Sequence, residues 1–227
     1  MHPLHLFNNT VHGLLYTPEN ATHLVILCHG YKSSQHHHAL TAIAQGLYKQ
    51  GFAVFTFDFP KTKSNADLEH QVTTITRLVA HFNSDYEHIS LLAASFGALG
   101  AATAAAELPT LTSFVTINGF FGSWHIGRKY FFAYLAFRSL SLVNRTHRRI
   151  QNYYASHFLP SHIHTPTLVI HSKVDKIVSI VQSRRFFQQL RGKKKFQALQ
   201  TATHSLSSTS DIELVIAYST NWLRQNH

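Results

Sequence analysis

The chain has 227 residues, which is long enough for one domain with a full hydrophobic core, and 44% of them are hydrophobic, as in an ordinary globular protein. Lysine and arginine outnumber aspartate and glutamate by 20 to 10, and 19 histidines add further positive charge as the pH falls. Nucleic acid, anionic lipid and an anionic substrate are each compatible with this charge. The chain contains no recognisable nucleic-acid-binding module, so we predict no nucleic-acid partner.

The N-terminus and the cysteine content bear on location. Met1 to Asn9 lack a basic stretch followed by an apolar one, so the sequence predicts no signal peptide. The single cysteine, Cys28, excludes an internal disulfide and fits a reducing compartment. We therefore predict a cytoplasmic location.

The first half of the chain alternates between strand-like and helix-like patterns. Residues 3–18 indicate one or two short strands, and the compact apolar run Leu24–Leu27 is typical of a central parallel strand. The pattern continues with a helix over about 39–50 that stops at Gly51, a strand at 52–57, a helix at 67–82 and a strand beginning after His88. This order predicts an α/β fold, with a mostly parallel sheet and helices on both faces.

The second half continues the pattern around one segment of different composition. Strands are predicted at 113–118, 167–171 and 195–199, and an amphipathic helix at 211–224. No Asp or Glu occurs from Leu108 to Val174, and residues 119–160 are rich in aromatic and basic side chains. We interpret 119–160 as a helical cap or lid inserted into a core made of 1–118 and 161–227.

The stretch Ile89–Ala106 is the centre of the functional prediction. A short apolar strand passes through Ser95 into an Ala-rich helix, which is the context of a nucleophile elbow. The tight turn requires small residues two positions before and after the serine, and Ala93 and Gly97 meet that requirement. A serine that merely caps the helix is the simpler alternative. A membrane span is disfavoured, because this uncharged stretch is only weakly apolar.

A nucleophilic serine needs a base and an orienting carboxylate. Beyond Leu108 the chain has three acidic residues, Asp175, Asp211 and Glu213. The last two lie in the predicted C-terminal helix, which leaves Asp175, in a loop after a predicted strand. His204 follows the last predicted strand, where a side chain can reach back across the sheet edge. The predicted triad is Ser95, Asp175 and His204.

The oxyanion of an acyl-transfer intermediate also needs donors. We predict the backbone N–H of Phe96 as one donor and that of Tyr31 as the second, because Gly30 lets the preceding loop turn sharply. His29 is interpreted as structural. His36, His37 and His38 do not predict a metal site, since adjacent side chains on a helix point in different directions. No metal or cofactor is predicted.

These motifs together resemble the α/β-hydrolases, in particular small serine esterases similar to cinnamoyl and feruloyl esterases and monoacylglycerol-lipase-like hydrolases. The matching segments are 24–31, 51–58, 93–97, 169–175 and 202–205, which follow the family's order. The resemblance implies the same triad, the same oxyanion donors at Tyr31 and Phe96, and an insertion over the site at about 119–160. Ala93 replaces the first elbow glycine, Ser172 stands where glycine often precedes the acid loop, and 59–64 departs from the usual Arg-Gly-His-Gly-like turn.

The predicted function is hydrolysis of carboxylic esters of small molecules through an acyl-enzyme intermediate. Thioester hydrolysis, for which a basic lid could hold a phosphate-bearing carrier such as coenzyme A, and acyl-peptide hydrolysis use the same triad and remain alternatives. A non-enzymatic binding or scaffold module is a third, although such a protein would be expected to lack a triad residue. Peripheral contact with anionic membranes through Arg145, Arg148 and Arg149 is a further prediction that could coexist with catalysis.

Overall fold

The computed structural model describes residues 1–60, 68–122 and 159–227. Within these ranges the strands are β1 His2–Leu6, β2 Val11–Tyr16, β3 His23–Cys28, β4 Ala53–Asp58, β5 His88–Ala94, β6 Ser113–Ile117, β7 Thr167–Ser172 and β8 Lys194–Leu199. The α-helices are α1 His38–Lys49, α2 Leu68–Phe82, α3 Gly97–Glu107, α4 Ile180–Gln189 and α5 Thr209–Arg224, with a short 3-10 helix at Pro160–His162.

All eight described strands form one sheet, in the order β1-β2-β4-β3-β5-β6-β7-β8. The pairs β1–β2 and β2–β4 are antiparallel, and the other five pairs, from β4–β3 to β7–β8, are parallel. Helices separate most successive parallel strands, which is the connection that parallel pairing requires. The predicted α/β fold with a mostly parallel sheet is confirmed. The predicted lid lies almost entirely outside the described residues, since 123–158 are not described.

Two apolar clusters show that helices cover both faces of the sheet. Alternate residues of β3 point to opposite faces, so that Leu24 and Ile26 join one cluster and Val25 and Leu27 join the other. The first cluster contains side chains of α2 and α3, and the second contains side chains of α1 and α5. Because β3 is buried along its whole length, its continuous apolar run is explained by burial on both faces.

The predicted element boundaries differ from the observed ones by one or two residues, apart from one helix that the sequence did not predict. Gly51 has φ +92° immediately after α1 and its C-cap, as expected for a glycine that ends a helix. Helix α4 was missed because polar Gln182 and Ser183 lie on its buried face beside Phe186, so the apolar periodicity is broken. Ser179 caps this helix by accepting a hydrogen bond from the amide of Val181.

In the part of the chain that the structure describes, no helix is both long enough and apolar enough to cross a membrane. Helix α3, which carries the Ala-rich stretch after Ser95, has 11 residues and packs in the protein core. A membrane-spanning helix needs about 20 residues.

Candidate active site

Ser95 lies in the sharp turn between β5 and α3, one residue beyond the end of the strand. Its φ of +51° is in the left-handed region that a residue other than glycine rarely occupies. The Ser95 amide donates to the carbonyl of Ile117 at 3.0 Å, and the Ser95 carbonyl accepts from the amide of Phe120 at 2.9 Å. Both backbone groups are therefore held by the end of β6 and the residues that follow it, which keeps the strained turn in place.

Close packing explains the small residues around this turn. A Cβ on Gly97 would lie 2.3 Å from the backbone oxygen of His29 and 2.9 Å from that of Cys28. A Cβ on Gly30 would lie 3.0 Å from Cβ of Ser95 and 3.4 Å from its Oγ. The loop after β3 thus passes directly over the turn that carries Ser95. Ala93 is fully buried in β5, so a small side chain fits there too.

His204 and Asp175 meet Ser95 at the carboxyl edge of the sheet. The distance from Oγ of Ser95 to Nε2 of His204 is 3.0 Å, and Nδ1 of His204 lies 2.7 Å from Oδ2 of Asp175. Since the carboxylate only accepts, Nδ1 carries the proton and Nε2 is free to accept from the serine hydroxyl. The structure therefore brings together the three side chains that the sequence predicts as a triad.

Asp175 is held as a carboxylate by several donors. Its Oδ1 accepts from the amides of Ile177 and Val178, at 2.8 and 2.9 Å, and its side chain is fully buried. Burial by itself would raise the pKa of this carboxyl. The hydrogen bonds from His204, Val178 and Ile177 and the charge interaction with His204 outweigh burial, so that the pKa of Asp175 lies below its ordinary value.

The predicted oxyanion donors belong to the two segments that meet at the serine. Phe96 follows Ser95 at the start of α3, and Tyr31 follows Gly30 in the loop that packs on the turn. His29 links that loop to the residue after β4. Its Nδ1 donates to the carbonyl of Gly30 at 2.8 Å, and its Nε2 accepts from the amide of Phe59 at 3.1 Å. Burial lowers the pKa of His29, consistent with a neutral ring that donates through one nitrogen and accepts through the other.

Comparison with known proteins identifies the family. A model described as the prolyl oligopeptidase family matches residues 47–227 of the chain, which include Ser95, Asp175 and His204. The chain belongs to the prolyl oligopeptidase family. Among curated proteins none matches it. The chain is accordingly a hydrolase of the α/β-hydrolase superfamily, as the sequence motifs predicted.

Solved structures with the same fold include a dienelactone hydrolase and a monoacylglycerol lipase. A dienelactone hydrolase from Anabaena variabilis is 21% identical with a TM-score of 0.73, covering 95% of this chain and 92% of that one. Est1E from Butyrivibrio proteoclasticus is 17% identical with a TM-score of 0.73, covering 99% and 98%. A monoacylglycerol lipase from Paleococcus ferrophilus is 17% identical with a TM-score of 0.71, covering 96% and 99%. At these identities the likeness establishes the fold.

Two residues that were not selected from the sequence contact the segments that carry His204 and Asp175. The first is Asn118, with φ +47°, which donates from Nδ2 to the carbonyl of His204 at 2.9 Å and accepts through Oδ1 from the amide of Ser172. It therefore ties the ends of β6 and β7 to the loop that carries His204. A positive φ cannot be read from sequence, although an Asn directly after a strand is a weak signal for such a conformation.

His171 is the second residue that sequence reasoning missed. It is fully buried in β7, and its Nε2 lies 3.0 Å from the carbonyl of Val178 and 3.5 Å from Oδ2 of Asp175. Because a carbonyl only accepts, Nε2 carries the proton, and Nδ1 accepts from the hydroxyl of Ser183 at 2.7 Å. Burial lowers the pKa of His171, against opposing effects of the Val178 carbonyl and Asp175, so the ring is neutral. It lies behind the loop that carries Asp175.

A cavity of about 280 Å³ opens beside Ser95 and His204. Its apolar lining comes from α1, β5, β6 and the loop after β8, and consists of Ala39, Leu40, Ile43, Ala94, Ile117 and Leu206. Its polar lining includes Tyr31, Lys32 and His37. An apolar pocket with a few polar groups beside reactive side chains is the usual form of a small-molecule site.

Among residues 1–60, 68–122 and 159–227, no group of three or more His, Cys, Asp or Glu side chains is arranged to hold a metal ion. The rings of His37 and His38 lie 4.6 Å apart between centroids, and His38 Nε2 contacts the carbonyl of Leu206 at 3.3 Å. His37 faces the cavity, and burial is the largest of the effects that lower its pKa.

Proposed function

We propose that the chain hydrolyses carboxylic esters through an acyl-enzyme intermediate, with Ser95 as nucleophile, His204 as base and Asp175 as the orienting acid. The observation that carries the proposal is the continuous path of hydrogen bonds from Oγ of Ser95 through both ring nitrogens of His204 to the carboxylate of Asp175. A serine hydroxyl is a weak nucleophile at neutral pH unless an adjacent base accepts its proton.

In the first step Oγ of Ser95 attacks the ester carbonyl and Nε2 of His204 takes the hydroxyl proton. The imidazolium that forms is stabilised by the carboxylate of Asp175, which stays ionised because its pKa is low. The resulting oxyanion is bound by the amides of Phe96 and Tyr31. His204 then donates the proton to the leaving oxygen, the carbon–oxygen bond of the ester breaks, and the alcohol departs.

In the second step water attacks the acyl-enzyme while His204 takes one of its protons. The tetrahedral intermediate forms on the same two amides, and its collapse returns the proton to Oγ of Ser95 and releases the carboxylic acid. The whole cycle consumes one water and changes no oxidation state. It needs only residues of this chain and no cofactor or metal.

The substrate is a small molecule in this proposal. Among the fold neighbours, Est1E has a solved structure with ferulic acid bound, and another neighbour is a monoacylglycerol lipase. The apolar lining of the cavity beside Ser95 suits an aliphatic or aryl group of modest size.

We also propose that residues 119–160 form the helical cap over a core of 1–118 and 161–227. The support comes from the start of this segment. Phe121 follows β6, its ring stacks on that of Phe186 with centroids 3.9 Å apart, and its amide donates to Oε1 of Gln182 at 3.1 Å. The preceding residue, Phe120, donates from its amide to the Ser95 carbonyl at 2.9 Å, so the segment begins beside Ser95. Arg145, Arg148 and Arg149, on which the predicted membrane contact depends, lie outside the described residues, and that contact and a cytoplasmic location remain predictions.

The proposal is tested by the hydrolysis of 4-nitrophenyl esters of increasing acyl length by the wild type and by Ser95→Ala. We expect turnover that falls by about 10⁴-fold or more in the variant, because the nucleophile is lost. Thr103→Val is a matched control, since Thr103 lies on α3 in the core and its hydroxyl donates to the Leu99 carbonyl at 2.9 Å. Activity that survives Ser95→Ala would refute the assigned nucleophile.

A second candidate function is amide hydrolysis, because the matching family model is named for peptidases. The same triad cleaves either bond, but an amide leaving group depends more on protonation by the base. The 4-nitroanilides of the same acyl groups, together with blocked dipeptide anilides, separate the two functions. Faster cleavage of the anilides than of the esters would replace ester hydrolysis by amide hydrolysis. Cleavage of acyl thioesters alone would favour the thioesterase alternative.

A further inference from the structure

The polar lining of the cavity beside Ser95 is one-sided in charge. Lys32 and His37 are among the residues that line it, and every described residue of the lining is basic, neutral or apolar. Among these described lining residues there is therefore no carboxylate. Because burial lowers the pKa of His37, Lys32 supplies the positive charge, and a cavity with a cation and no carboxylate attracts anions and repels cations.

Lys32, which lines this cavity, has an uncommon backbone conformation. Its φ is +51°, and its Nζ lies 5.5 Å from the centroid of the Tyr31 ring. The ring of Tyr31 in turn contacts that of Phe96, with centroids 6.1 Å apart. Lys32 therefore directly follows one predicted oxyanion donor, Tyr31, whose ring contacts that of the other, Phe96. Strained residues of this kind are found where the surrounding structure holds them for function.

The carboxylates of Asp58 and Asp175 are engaged by partners other than Lys32. Asp58, at the end of β4, accepts from the amide of Gln35 at 2.7 Å and from its Nε2 at 3.3 Å. Asp175 is bound by His204 and two amides. Within the described residues Lys32 makes no ion pair, so its charge is available to a ligand.

We propose that this cavity selects esters that carry a carboxylate at the far end of a short chain, with Lys32 as the residue that determines this specificity. The inference deepens the proposed esterase function and rests on it. The carboxylate lies near Lys32 Nζ, while the apolar lining contacts the methylene groups between it and the reacting carbonyl. Lys32 supplies one compact charge, which suits a monoanion better than a dianionic phosphate, for which several donors would be expected.

The size of the cavity limits the length of such a substrate. Its volume of about 280 Å³ is at the low end of the range for small-molecule sites, about 300–1,000 Å³. A half-ester of a short-chain dicarboxylic acid is of this size. For a coenzyme A thioester, the cavity would have room for the acyl group and not for the coenzyme A part. Half-esters of glutaric acid are therefore suitable probes.

The experiment compares mono-4-nitrophenyl glutarate with methyl 4-nitrophenyl glutarate, which has nearly the same size and no charge. We expect the wild type to have the higher kcat/KM on the half-ester. In Lys32→Met, which keeps most of the side chain and removes its charge, the ratio of the two values should fall by about two- to fivefold, as for a solvent-exposed ion pair. In Lys32→Glu it should fall further.

Lys49→Met is the matched control, because Lys49 is exposed in the last turn of α1 and does not line the cavity. This variant should retain the ratio of the wild type. In the wild type the preference for the half-ester should weaken as sodium chloride is raised to about 0.5 M, because salt screens exposed charges. A ratio that is the same in the wild type and in Lys32→Met would overturn the proposal, as would a wild-type preference for the methyl ester.

A binding measurement separates this proposal from the esterase function. Ser95→Ala is titrated with glutarate monomethyl ester and, separately, with inorganic phosphate, with and without Lys32→Met. Binding of the monomethyl ester that weakens in the double variant supports the anion site even if no ester is hydrolysed. Absence of binding, or tighter binding of phosphate than of the monomethyl ester, overturns it.

Discussion

At the scale of single residues, several N–H groups surround the carboxylate of Asp175. Oδ1 receives the amides of Ile177 and Val178, and Oδ2 faces Nδ1 of His204 at 2.7 Å and Nε2 of His171 at 3.5 Å. The close hydrogen bonds are what keep a fully buried carboxyl ionised. The charge that stabilises a protonated His204 thus depends on the conformation of a short loop, 175–178.

Asp175→Asn should abolish most of the activity while preserving the fold. An amide cannot stabilise the imidazolium, and its NH₂ group favours the wrong tautomer of His204, so kcat should fall by about 10³- to 10⁴-fold. The measurement is kcat on a 4-nitrophenyl ester, with circular dichroism to verify folding. Asp85→Asn, at an exposed position where the carboxylate accepts from Ser84 Oγ, should leave kcat unchanged. A loss of less than tenfold in Asp175→Asn would contradict the assigned acid.

His171→Leu tests a positioning residue that acts through Asp175. The change removes the Nε2–H that the Val178 carbonyl accepts and leaves the hydroxyl of Ser183 without its acceptor. We expect kcat to fall by about tenfold or more because Asp175 is displaced, while KM changes little. The free energy of unfolding should fall by about 1–3 kcal/mol, because buried polar groups lose their partners.

Thr103→Val, which also removes a buried hydrogen-bonding group, should lower stability without lowering kcat, because Thr103 bonds to Leu99 within α3. Equal kcat in His171→Leu and in the wild type, at temperatures where both are folded, would show that His171 is merely a core residue.

At the scale of elements, the site depends on two loops that pack on the strand–helix turn. The loop after β3 passes over Gly97 and Ser95, and the end of β6 with the loop that follows it binds both backbone groups of Ser95. The helix α4 contributes Ser183 and Gln182, which support β7 and the start of 119–160 respectively. Polar residues at buried positions of α4 are therefore explained by the partners they bind.

Gly97→Ala should lower kcat by more than its loss of folding stability can account for. A methyl group would lie 2.3 Å from the backbone oxygen of His29, so the loop that carries Tyr31 must move away from Ser95. We expect kcat to fall by about 100-fold and the free energy of unfolding to fall by about 1–3 kcal/mol. Both are measured on the purified variant, by ester hydrolysis and by urea denaturation.

Gly51→Ala is the control for a backbone effect without a steric one. Gly51 has φ +92°, and no atom of a residue beyond its two chain neighbours lies within 4 Å of the position that a Cβ would take, so this variant introduces conformational strain alone. It should lose stability and keep its kcat. If Gly97→Ala behaved in the same way, the close approach over the elbow would not matter for catalysis.

At the scale of the whole molecule, buried histidines make the fold sensitive to acid. His23, at the start of β3, is packed against His88 and His227 and bonds to Oγ of Ser90 at 2.8 Å. Burial, with smaller effects of His88 and His227, lowers the pKa of His23 to about 4. Burial also lowers the pKa values of His29 and His171.

The free energy of unfolding should therefore fall as the pH drops from about 6.5 towards 4. The folded pKa of His23 lies below its unfolded pKa, so its contribution is complete above pH 6.5 and is lost on acidification, by roughly 3 kcal/mol in total. Urea denaturation at about pH 7 and about pH 5 measures this. His23→Gln should reduce the difference between the two pH values, and His36→Gln, at an exposed position, should not. An unchanged difference in His23→Gln would contradict the assignment.

The order of strands and helices and the candidate triad could be predicted from the amino-acid sequence. Continuous apolar runs such as 24–27 identify strands buried on both faces, and the small residues around Ser95 reflect a turn that only small neighbours fit. Elimination left Asp175 because acidic residues are scarce in the second half of the chain. These are local signals or signals of composition, and they need no knowledge of which strands are neighbours. The catalytic roles of the three residues remain our proposal.

Which distant side chains meet became evident from the tertiary structure alone. Asn118, His171 and Lys32 come from three different segments, and none has a pattern that distinguishes it from other residues near a strand end. The helix α4 was not predicted because its buried face bonds to polar partners that lie elsewhere in the chain. The physical reason is the same in each case. Hydrogen bonds and charges act between residues that the parallel sheet brings to one edge, and the spacing of residues along the sequence does not give their distance in space.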